Sequence, residues 1–169
     1  MDIKIPYTPR KHQKLLHQQI DKHRWSVLVC HRRFGKTVCM INHLIKSALM
    51  SKQKNPRFAY LAPTFKQAKS IAWDYMKQFT DKIPHTKFNE TELRVDLPNG
   101  ARITLLGSDS PDGLRGIYLD GCVIDEYANV NSRLFPEIIR PALSDRKGYC
   151  VFIGTPAGMN NNFYELYQH

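Results

Sequence analysis

Residues 26–37 read SVLVCHRRFGKT: an apolar run opens into a basic loop that ends in Gly35-Lys36-Thr37. The backbone N–H groups of such a loop, together with the N-terminus of a following helix, form a binding site for phosphate groups. Lys36 is then expected on the phosphates, and the Thr37 hydroxyl on Mg²⁺. Cys30 occupies the position of the first glycine in the pattern G-x-x-x-x-G-K-[ST], so the match is incomplete. The stretch predicts a nucleotide triphosphate site between a strand and a helix.

Composition and charge limit the classes of protein that fit. A chain of 169 residues with 42% apolar residues is sized for one folded domain. Lys and Arg number 25 against 15 Asp and Glu, a formal net charge of +10, which favours a polyanionic partner such as nucleic acid. The N-terminus lacks the apolar core of a signal peptide, and no run approaches the length of about 18 apolar residues that spans a bilayer. We therefore expect a soluble protein that is not secreted.

The four cysteines show no C-x-x-C spacing and lie on or beside apolar segments. This placement favours buried free thiols over disulfides or zinc ligands. They are Cys30, Cys39, Cys122 and Cys150.

Hydrophobic periodicity predicts helices and strands in alternation. The predicted elements are a helix capped by Thr8 with Pro9 in its first turn, a strand at 26–30, a helix from Lys36, a strand at 58–62, a helix capped by Thr64, a hairpin with Asn99-Gly100 as its two-residue loop, a strand at 121–124, a helix near 132–143 and a strand at 149–153. Several strands are wholly apolar, as strands buried on both faces are. The pattern indicates an α/β three-layer domain with a mainly parallel central sheet and an added β-hairpin.

Polar residues follow the buried strands where ligand sites form in open α/β sheets, beyond the carboxyl ends of the strands. Asp125 and Glu126 come directly after the strand at 121–124, and their side chains are expected to point in different directions. Asp125 is predicted to hold Mg²⁺ with Thr37, and Glu126 to activate a water molecule. Gly154-Thr155-Pro156, after the last strand, is a candidate sensor of the γ-phosphate.

Four segments together resemble the ATPase domain of the large terminase subunit of tailed bacteriophages, the motor that pumps double-stranded DNA into a preformed capsid. The segments are YTPRKHQ (7–13), CHRRFGKT (30–37), CVIDEYANV (122–130) and FIGTPAG (152–158). The resemblance spans nearly the whole chain and implies a P-loop NTPase fold of the ASCE type over residues 1–169, with ATP and Mg²⁺ as cofactors. An arginine three residues before Gly35 is its most specific element.

The resemblance also implies roles for individual residues. Arg32 would be a cis arginine on the γ-phosphate, with Arg33 in reserve. Arg115, in the loop SDSPDGLRG (108–116), would act in trans on the neighbouring subunit of a ring. Gln13 would read the adenine edge, with Tyr7 or Arg10 stacked on the ring. The nucleotide-binding loop would comprise Cys30, His31, Arg32, Arg33, Phe34, Gly35, Lys36 and Thr37.

The expected partners are those of a packaging motor. They are double-stranded DNA, further copies of the chain in a ring on the portal, the portal protein and the small terminase subunit, in the bacterial host cytoplasm and transiently at the procapsid portal vertex. Large terminases carry a nuclease domain after the ATPase domain, and this sequence stops 13 residues after Pro156, so we expect no DNA cleavage by these residues. A truncated chain and a natural short form remain alternatives.

Other functions fit the same core. A helicase-type or recombination ATPase would share it, and a noncatalytic DNA-binding or assembly module would keep only a vestigial nucleotide site. A small-molecule kinase is less consistent with the sequence, because nothing resembles an acceptor lid and the charge of +10 would be unexplained.

Overall fold

The computed structural model describes residues 5–29, 35–109, 114 and 116–154. The strands are β1 (Trp25–Val29), β2 (Arg57–Ala62), β3 (Lys87–Asn89), β4 (Arg94–Asp96), β5 (Arg102–Gly107), β6 (Gly121–Ile124) and β7 (Tyr149–Gly154). The helices are α1 (Lys11–Lys22), α2 (Lys36–Met50), α3 (Phe65–Ala68), α4 (Asp74–Thr80) and α5 (Arg140–Ser144). A π-helical turn at Lys69–Trp73 joins α3 to α4, another at Phe135–Ile139 leads into α5, and Tyr127–Asn129 forms a 3₁₀ turn.

All seven strands form one sheet in the order β1-β7-β6-β2-β5-β4-β3. The pairs β1–β7, β7–β6, β6–β2 and β2–β5 are parallel, whereas β4 pairs antiparallel with both β5 and β3. The predicted α/β fold with a mainly parallel sheet and an added hairpin is therefore confirmed. The short strand β3 was not predicted.

The sheet is buried on both faces by two apolar clusters. Alternate residues of β2 point to opposite sides, so that Phe58 and Tyr60 face one cluster and Ala59 and Leu61 face the other. The first cluster holds α2 and the helix through α3 and α4, and the second holds the helix that ends in α5. Two helical layers around one sheet give the three layers expected from wholly apolar strands.

The hairpin turn differs from the predicted two-residue loop. The Gly100 N–H donates to the Leu97 carbonyl (3.1 Å), so Pro98 and Asn99, not Asn99 and Gly100, occupy the centre of the turn. Proline fits the first central position because its φ is already fixed near the required value. Gly100 follows with φ of +87°, a left-handed conformation that costs glycine little.

The helix after β2 begins as predicted but does not keep a regular period. The Thr64 side chain accepts a hydrogen bond from the Gln67 N–H, which caps α3. The π-helical turn at Lys69–Trp73 then rotates the buried face. As a result Trp73 is buried, while Tyr75, which a regular helix would place on the same face as the buried Ala68, is 40% exposed.

The start of α1 and the helix near 132–143 also differ from prediction. The N-cap of α1 is Arg10, two residues beyond the predicted cap Thr8. Its backbone N–H donates to Gln13 Oε1 (2.9 Å). The side chain of the third helical residue thus accepts a hydrogen bond from a backbone N–H that has no partner within the helix. The last helix begins near Leu134 rather than Ser132 and runs through a π-helical turn.

The three described cysteines, Cys39, Cys122 and Cys150, are buried free thiols, as the sequence predicted. Cys30 lies outside the described residues. Among the helices of the described part of the chain, none is long and apolar enough to cross a membrane.

A pair of histidines, of which His43 is buried and His17 partly buried, joins α1 to α2. The Nδ1 atoms of His17 and His43 lie 2.8 Å apart, and the rings stack with centroids 5.1 Å apart. Asp21 and Lys46 are the charged groups nearby, with Asp21 Oδ1 3.6 Å from His43 Nε2. Burial, followed by the proximity of His17, lowers the pKa of His43 to about 4, and burial lowers the pKa of His17 as well. Both rings are therefore neutral in the folded protein near pH 7.

This pair predicts acid sensitivity of the fold. Between about pH 6.5 and 4 the unfolded chain binds protons that the folded chain excludes, so the free energy of unfolding falls as the pH is lowered through this window. We expect a loss of about 3 kcal/mol from His43, at roughly 1.4 kcal/mol per pKa unit. Chemical denaturation at several pH values measures it. His43→Gln should flatten the dependence, and replacement of the exposed His85 by Asn should not; an equal slope in all three chains would contradict the assignment.

Candidate nucleotide-binding site

The carboxyl ends of four parallel strands meet at one edge of the sheet. The register places Val29, at the end of β1, beside Gly154, at the end of β7. Ile124, at the end of β6, pairs with Phe152 of β7, and the Asp125 N–H continues the ladder by donating to the Leu61 carbonyl of β2 (2.8 Å). The segments that follow β1, β6 and β7 therefore leave the sheet at the same edge, as predicted.

Several predicted site residues lie outside the described residues. They are Cys30, His31, Arg32, Arg33, Phe34, Arg115, Thr155 and Pro156. Their roles stay predictions, and Gly154 is described as the last residue of β7.

Gly35 is the N-cap of α2 and adopts a left-handed conformation with φ of +77°. A Cβ atom at this position would lie 2.6 Å from an Arg10 guanidinium nitrogen and 3.1 Å from Gln13 Nε2. The backbone conformation therefore favours glycine here, and any side chain would also displace the Arg10 guanidinium group.

Gln13 links the start of α1 to Gly35, the N-cap of α2. Its Nε2 donates to the Gly35 carbonyl (3.2 Å), while its Oε1 accepts from the Arg10 N–H (2.9 Å). The residue is 5% exposed, so both ends of the carboxamide are held by backbone in a buried position. The structure thus brings Gln13 and Arg10 to Gly35, and recognition of adenine by Gln13 stays a prediction.

Tyr7 makes its contacts along α1 and α4. Its hydroxyl lies 3.0 Å from His17 Nε2, and its ring packs edge-on against Phe79. Burial raises the pKa of the Tyr7 phenol. Together with Asn42 and Lys46 the residue lines a cavity of about 350 Å³ between α1 and α2. Stacking of Tyr7 on an adenine ring stays a prediction.

Lys36 joins the phosphate loop to both predicted carboxylates. Its Nζ lies 3.6 Å from Asp125 Oδ1 and 3.6 Å from Glu126 Oε1. The lysine side chain is 11% exposed, and such a charge is stable only when it is paired. The ammonium group of Lys36 and the carboxylates of Asp125 and Glu126 therefore lie together at the carboxyl edge of the sheet.

Glu126 reaches Lys36 because the backbone leaves the strand conformation. The expectation that the two carboxylates point apart holds for an extended strand, but Glu126 has φ of +51° and ψ of +48°. This left-handed conformation costs a residue other than glycine roughly 1–2 kcal/mol and is concentrated at functional sites. It turns the chain into the Tyr127–Asn129 helical turn, and the Glu126 carboxylate lies 3.6 Å from the same Lys36 Nζ that Asp125 faces.

The exposures of the two carboxylates separate their roles. The Asp125 side chain is 3% exposed, and its Oδ1 accepts a hydrogen bond from the Glu126 N–H (2.9 Å). The Glu126 side chain is 36% exposed, so water reaches it. A buried, held carboxylate suits a ligand or counter-charge, and a water-accessible one suits a proton acceptor. Both roles stay predictions.

Tyr60 is a site residue that sequence reasoning did not identify. Its buried hydroxyl donates to Asp125 Oδ2. Burial, followed by the charge of Asp125, raises the pKa of this phenol well above its ordinary value, so it remains a donor. The apolar run FAYLA gave no signal for this role, because the contact depends on the register of β2 with β6.

Comparison with known proteins identifies the family. The family model described as terminase large subunit, T4likevirus-type, N-terminal, matches residues 29–169. The large terminase subunits of Thermus phage G20c and Thermus virus P23-45 are each 30% identical over the aligned region, which covers 63% of this chain and 26% of each relative. The chain thus spans about a quarter of the length of these relatives.

Solved structures show the same fold. The large terminase ATPase domain of Thermus phage P74-26, in a mutant form, superposes with a TM-score of 0.77 at 23% identity, covering 95% of this chain and 70% of that one. The large terminase of bacteriophage HK97 gives 0.79 at 14% identity, covering 98% and 37%. A large terminase from another thermophilic bacteriophage, solved in complex with ADP, gives 0.72 at 17% identity, covering 85% and 38%. With the family model matching most of its length, this chain belongs to the N-terminal family of T4-like-virus-type large terminase subunits.

Proposed function

We propose that residues 1–169 form an ATPase module that hydrolyses ATP to drive double-stranded DNA into a procapsid. The observation that carries the proposal is the meeting of Lys36, Asp125 and Glu126 within 3.6 Å contacts at the carboxyl edge of the sheet. A phosphate-binding lysine, a buried carboxylate and a water-accessible carboxylate are the groups that nucleotide hydrolysis requires. One structural relative, the large terminase of a thermophilic bacteriophage, was solved with ADP, which supports a nucleotide as the ligand.

The donor set fits magnesium. Mg²⁺ prefers oxygen ligands and keeps several waters, so one hydroxyl and one carboxylate from the protein suffice. Thr37 and Asp125 would supply them, because Lys36, the neighbour of Thr37 in α2, lies 3.6 Å from Asp125 Oδ1. Bound there, the cation would withdraw negative charge from the phosphates.

The side chains of this chain divide the remaining work. Lys36 binds the β- and γ-phosphates, and Glu126 orients water and accepts its proton. Asp125 is held in place by its bonds with Tyr60 and the Glu126 N–H. Arg32, or Arg33 in its place, would balance charge on the γ-phosphate within the subunit, and Arg115 would do so from the neighbouring subunit of a ring.

Coupling to DNA would pass through the ends of β1 and β7. Gly154 is the register neighbour of Val29. A movement at the end of β1 would therefore also move the end of β7 and the segment that begins with Thr155. The charge of +10 suits a grip on DNA phosphates that carries no sequence information. Further copies of the chain, the portal protein and the small terminase subunit are the proposed partners, in the host cytoplasm and at the portal vertex.

We assign no nuclease activity to these residues. Supercoiled plasmid incubated with the chain and Mg²⁺ or Mn²⁺ should stay intact.

Phosphate release measured with and without double-stranded DNA, over a wide range of protein concentration, tests the proposed motor. We expect stimulation by DNA that weakens steeply with salt, because the contacts are to phosphates. The rate per chain should rise with concentration, because Arg115 completes the site only in an assembly. A rate that stays flat, with Arg115→Ala equal to wild type, would remove the trans role.

The alternatives give different results in the same assay. A helicase-type ATPase would separate the strands of a forked duplex while it hydrolyses ATP, and a packaging motor would not. A noncatalytic module would bind DNA and release no phosphate.

A further inference from the structure

We propose that Tyr60 is a positioning residue of the nucleotide site, whose phenol holds the Asp125 carboxylate and orients it for Mg²⁺. This inference rests on the proposed function and adds to it a residue on β2, outside the phosphate loop and the strand that carries the carboxylates. Tyr60 is fully buried, with an exposure of 0%.

The sheet register explains why tyrosine is suited to this position. Tyr60 pairs with Val123 of the neighbouring parallel strand, and Asp125 lies two residues further along the same face. A residue two positions on is roughly 6.6 Å away along a strand, which is about the reach of a tyrosine ring with its hydroxyl. Phenylalanine would fill the same space and leave the carboxylate without this donor.

The direction of the hydrogen bond follows from the proton of the phenol. The phenol has one proton, and it is donated to Asp125 Oδ2. The phenol thus sets the orientation of the carboxylate.

The remaining bonds of Asp125 show what the phenol adds. Oδ1 accepts from the Glu126 N–H (2.9 Å) and faces Lys36 Nζ (3.6 Å), whereas Oδ2 accepts from Tyr60. Without the phenol one carboxylate oxygen in a buried position loses its donor, and the carboxylate is free to rotate. Ligand-orienting partners of this kind commonly affect metal affinity by about 10- to 100-fold.

Tyr60→Phe tests the inference, with Tyr149→Phe as the matched control. Tyr149 also has a ring on the α2 side of the sheet, and its hydroxyl donates to Ser47 Oγ of α2 (2.9 Å), at the amino end of β7 and away from the site. Binding of a fluorescent ATP analogue is measured with and without Mg²⁺, and the ratio of the two dissociation constants gives the coupling between metal and nucleotide.

We expect Tyr60→Phe to lower this coupling by about tenfold, since it removes a hydrogen bond to a charged group, and Tyr149→Phe to leave it unchanged. The affinity for the nucleotide without Mg²⁺ should be the same in both variants. In an Asp125→Asn background the Tyr60→Phe change should have a much smaller effect, because the ligand it orients is gone.

Each other outcome has a defined meaning. Equal coupling in Tyr60→Phe and wild type would overturn the inference and leave the ATPase proposal standing. Failure of Tyr60→Phe to fold, judged by circular dichroism, would also overturn it, because the hydroxyl would then serve the fold. A wild-type chain that binds no nucleotide would overturn both.

Discussion

Lys36→Ala is expected to reduce ATP hydrolysis by at least about 100-fold, because a preorganised charge on the transferred phosphoryl group is lost. Lys36 is the described cation that contacts both Asp125 and Glu126, at 3.6 Å each. Without it two carboxylates would face the phosphates with no ammonium group between them, so binding should weaken as well. Phosphate release and equilibrium binding of a fluorescent ATP analogue measure the two effects separately.

The folded state should survive this change. Asp125 keeps its hydrogen bonds from the Tyr60 hydroxyl and the Glu126 N–H, so its buried carboxylate is not left without donors. Lys46→Ala is the matched control: it removes the same charge from the same helix, at a side chain that is 49% exposed and paired with Asp21. An exposed pair of this kind contributes at most about 1 kcal/mol. Equal activity of the two variants would mean that Lys36 does not bind phosphate.

Glu126→Gln is expected to lower kcat by about 10²- to 10⁴-fold, the usual contribution of a general base, while the affinity for ATP is kept or increased. Glutamine has the same shape and cannot accept the proton of the attacking water. The variant also removes one negative charge from beside Lys36, which leaves the lysine more available to phosphate. Loss of turnover with retained binding separates a role in the chemical step from a role in binding.

Glu137→Gln is the control for this experiment. Glu137 has a side-chain exposure of 40%, against 36% for Glu126, and pairs with Arg133 rather than with the site. It should retain wild-type turnover. If Glu126→Gln turned over ATP at the wild-type rate, water activation would have to come from another group.

The part of the fold that sequence could predict is the part fixed by local pattern. Local pattern predicted each strand from its apolar run and each helix from its apolar face. The basic loop ending in Gly35-Lys36-Thr37 predicted that a strand precedes it and a helix follows it. Once the strands are known to be parallel, the ends of β1, β6 and β7 must share one edge. For this reason the sequence alone predicted that Lys36, Asp125 and Glu126 lie at the same edge of the sheet.

The parts that differed depend on contacts between segments distant in sequence, or on backbone conformations without a residue signature. Glutamate rarely adopts the left-handed conformation that Glu126 has, so the residue type does not predict it. This conformation determines where the carboxylate points. The π-helical turn at Lys69–Trp73 exchanged Tyr75 for Trp73 in the core. Tyr60 gained its role from the pairing of β2 with β6, which no local pattern encodes.

The central claim is that a triphosphate binds between Lys36 and the two carboxylates at the carboxyl edge of the sheet. A crystal structure of the chain with a nonhydrolysable ATP analogue and Mg²⁺ tests it most directly. We predict the β- and γ-phosphates within hydrogen-bonding distance of Lys36, the cation between Thr37 and Asp125, and a water molecule between Glu126 and the γ-phosphate. The claim would be contradicted if the phosphates bound elsewhere and Lys36 stayed paired with Asp125 and Glu126, too far from the phosphates to contact them.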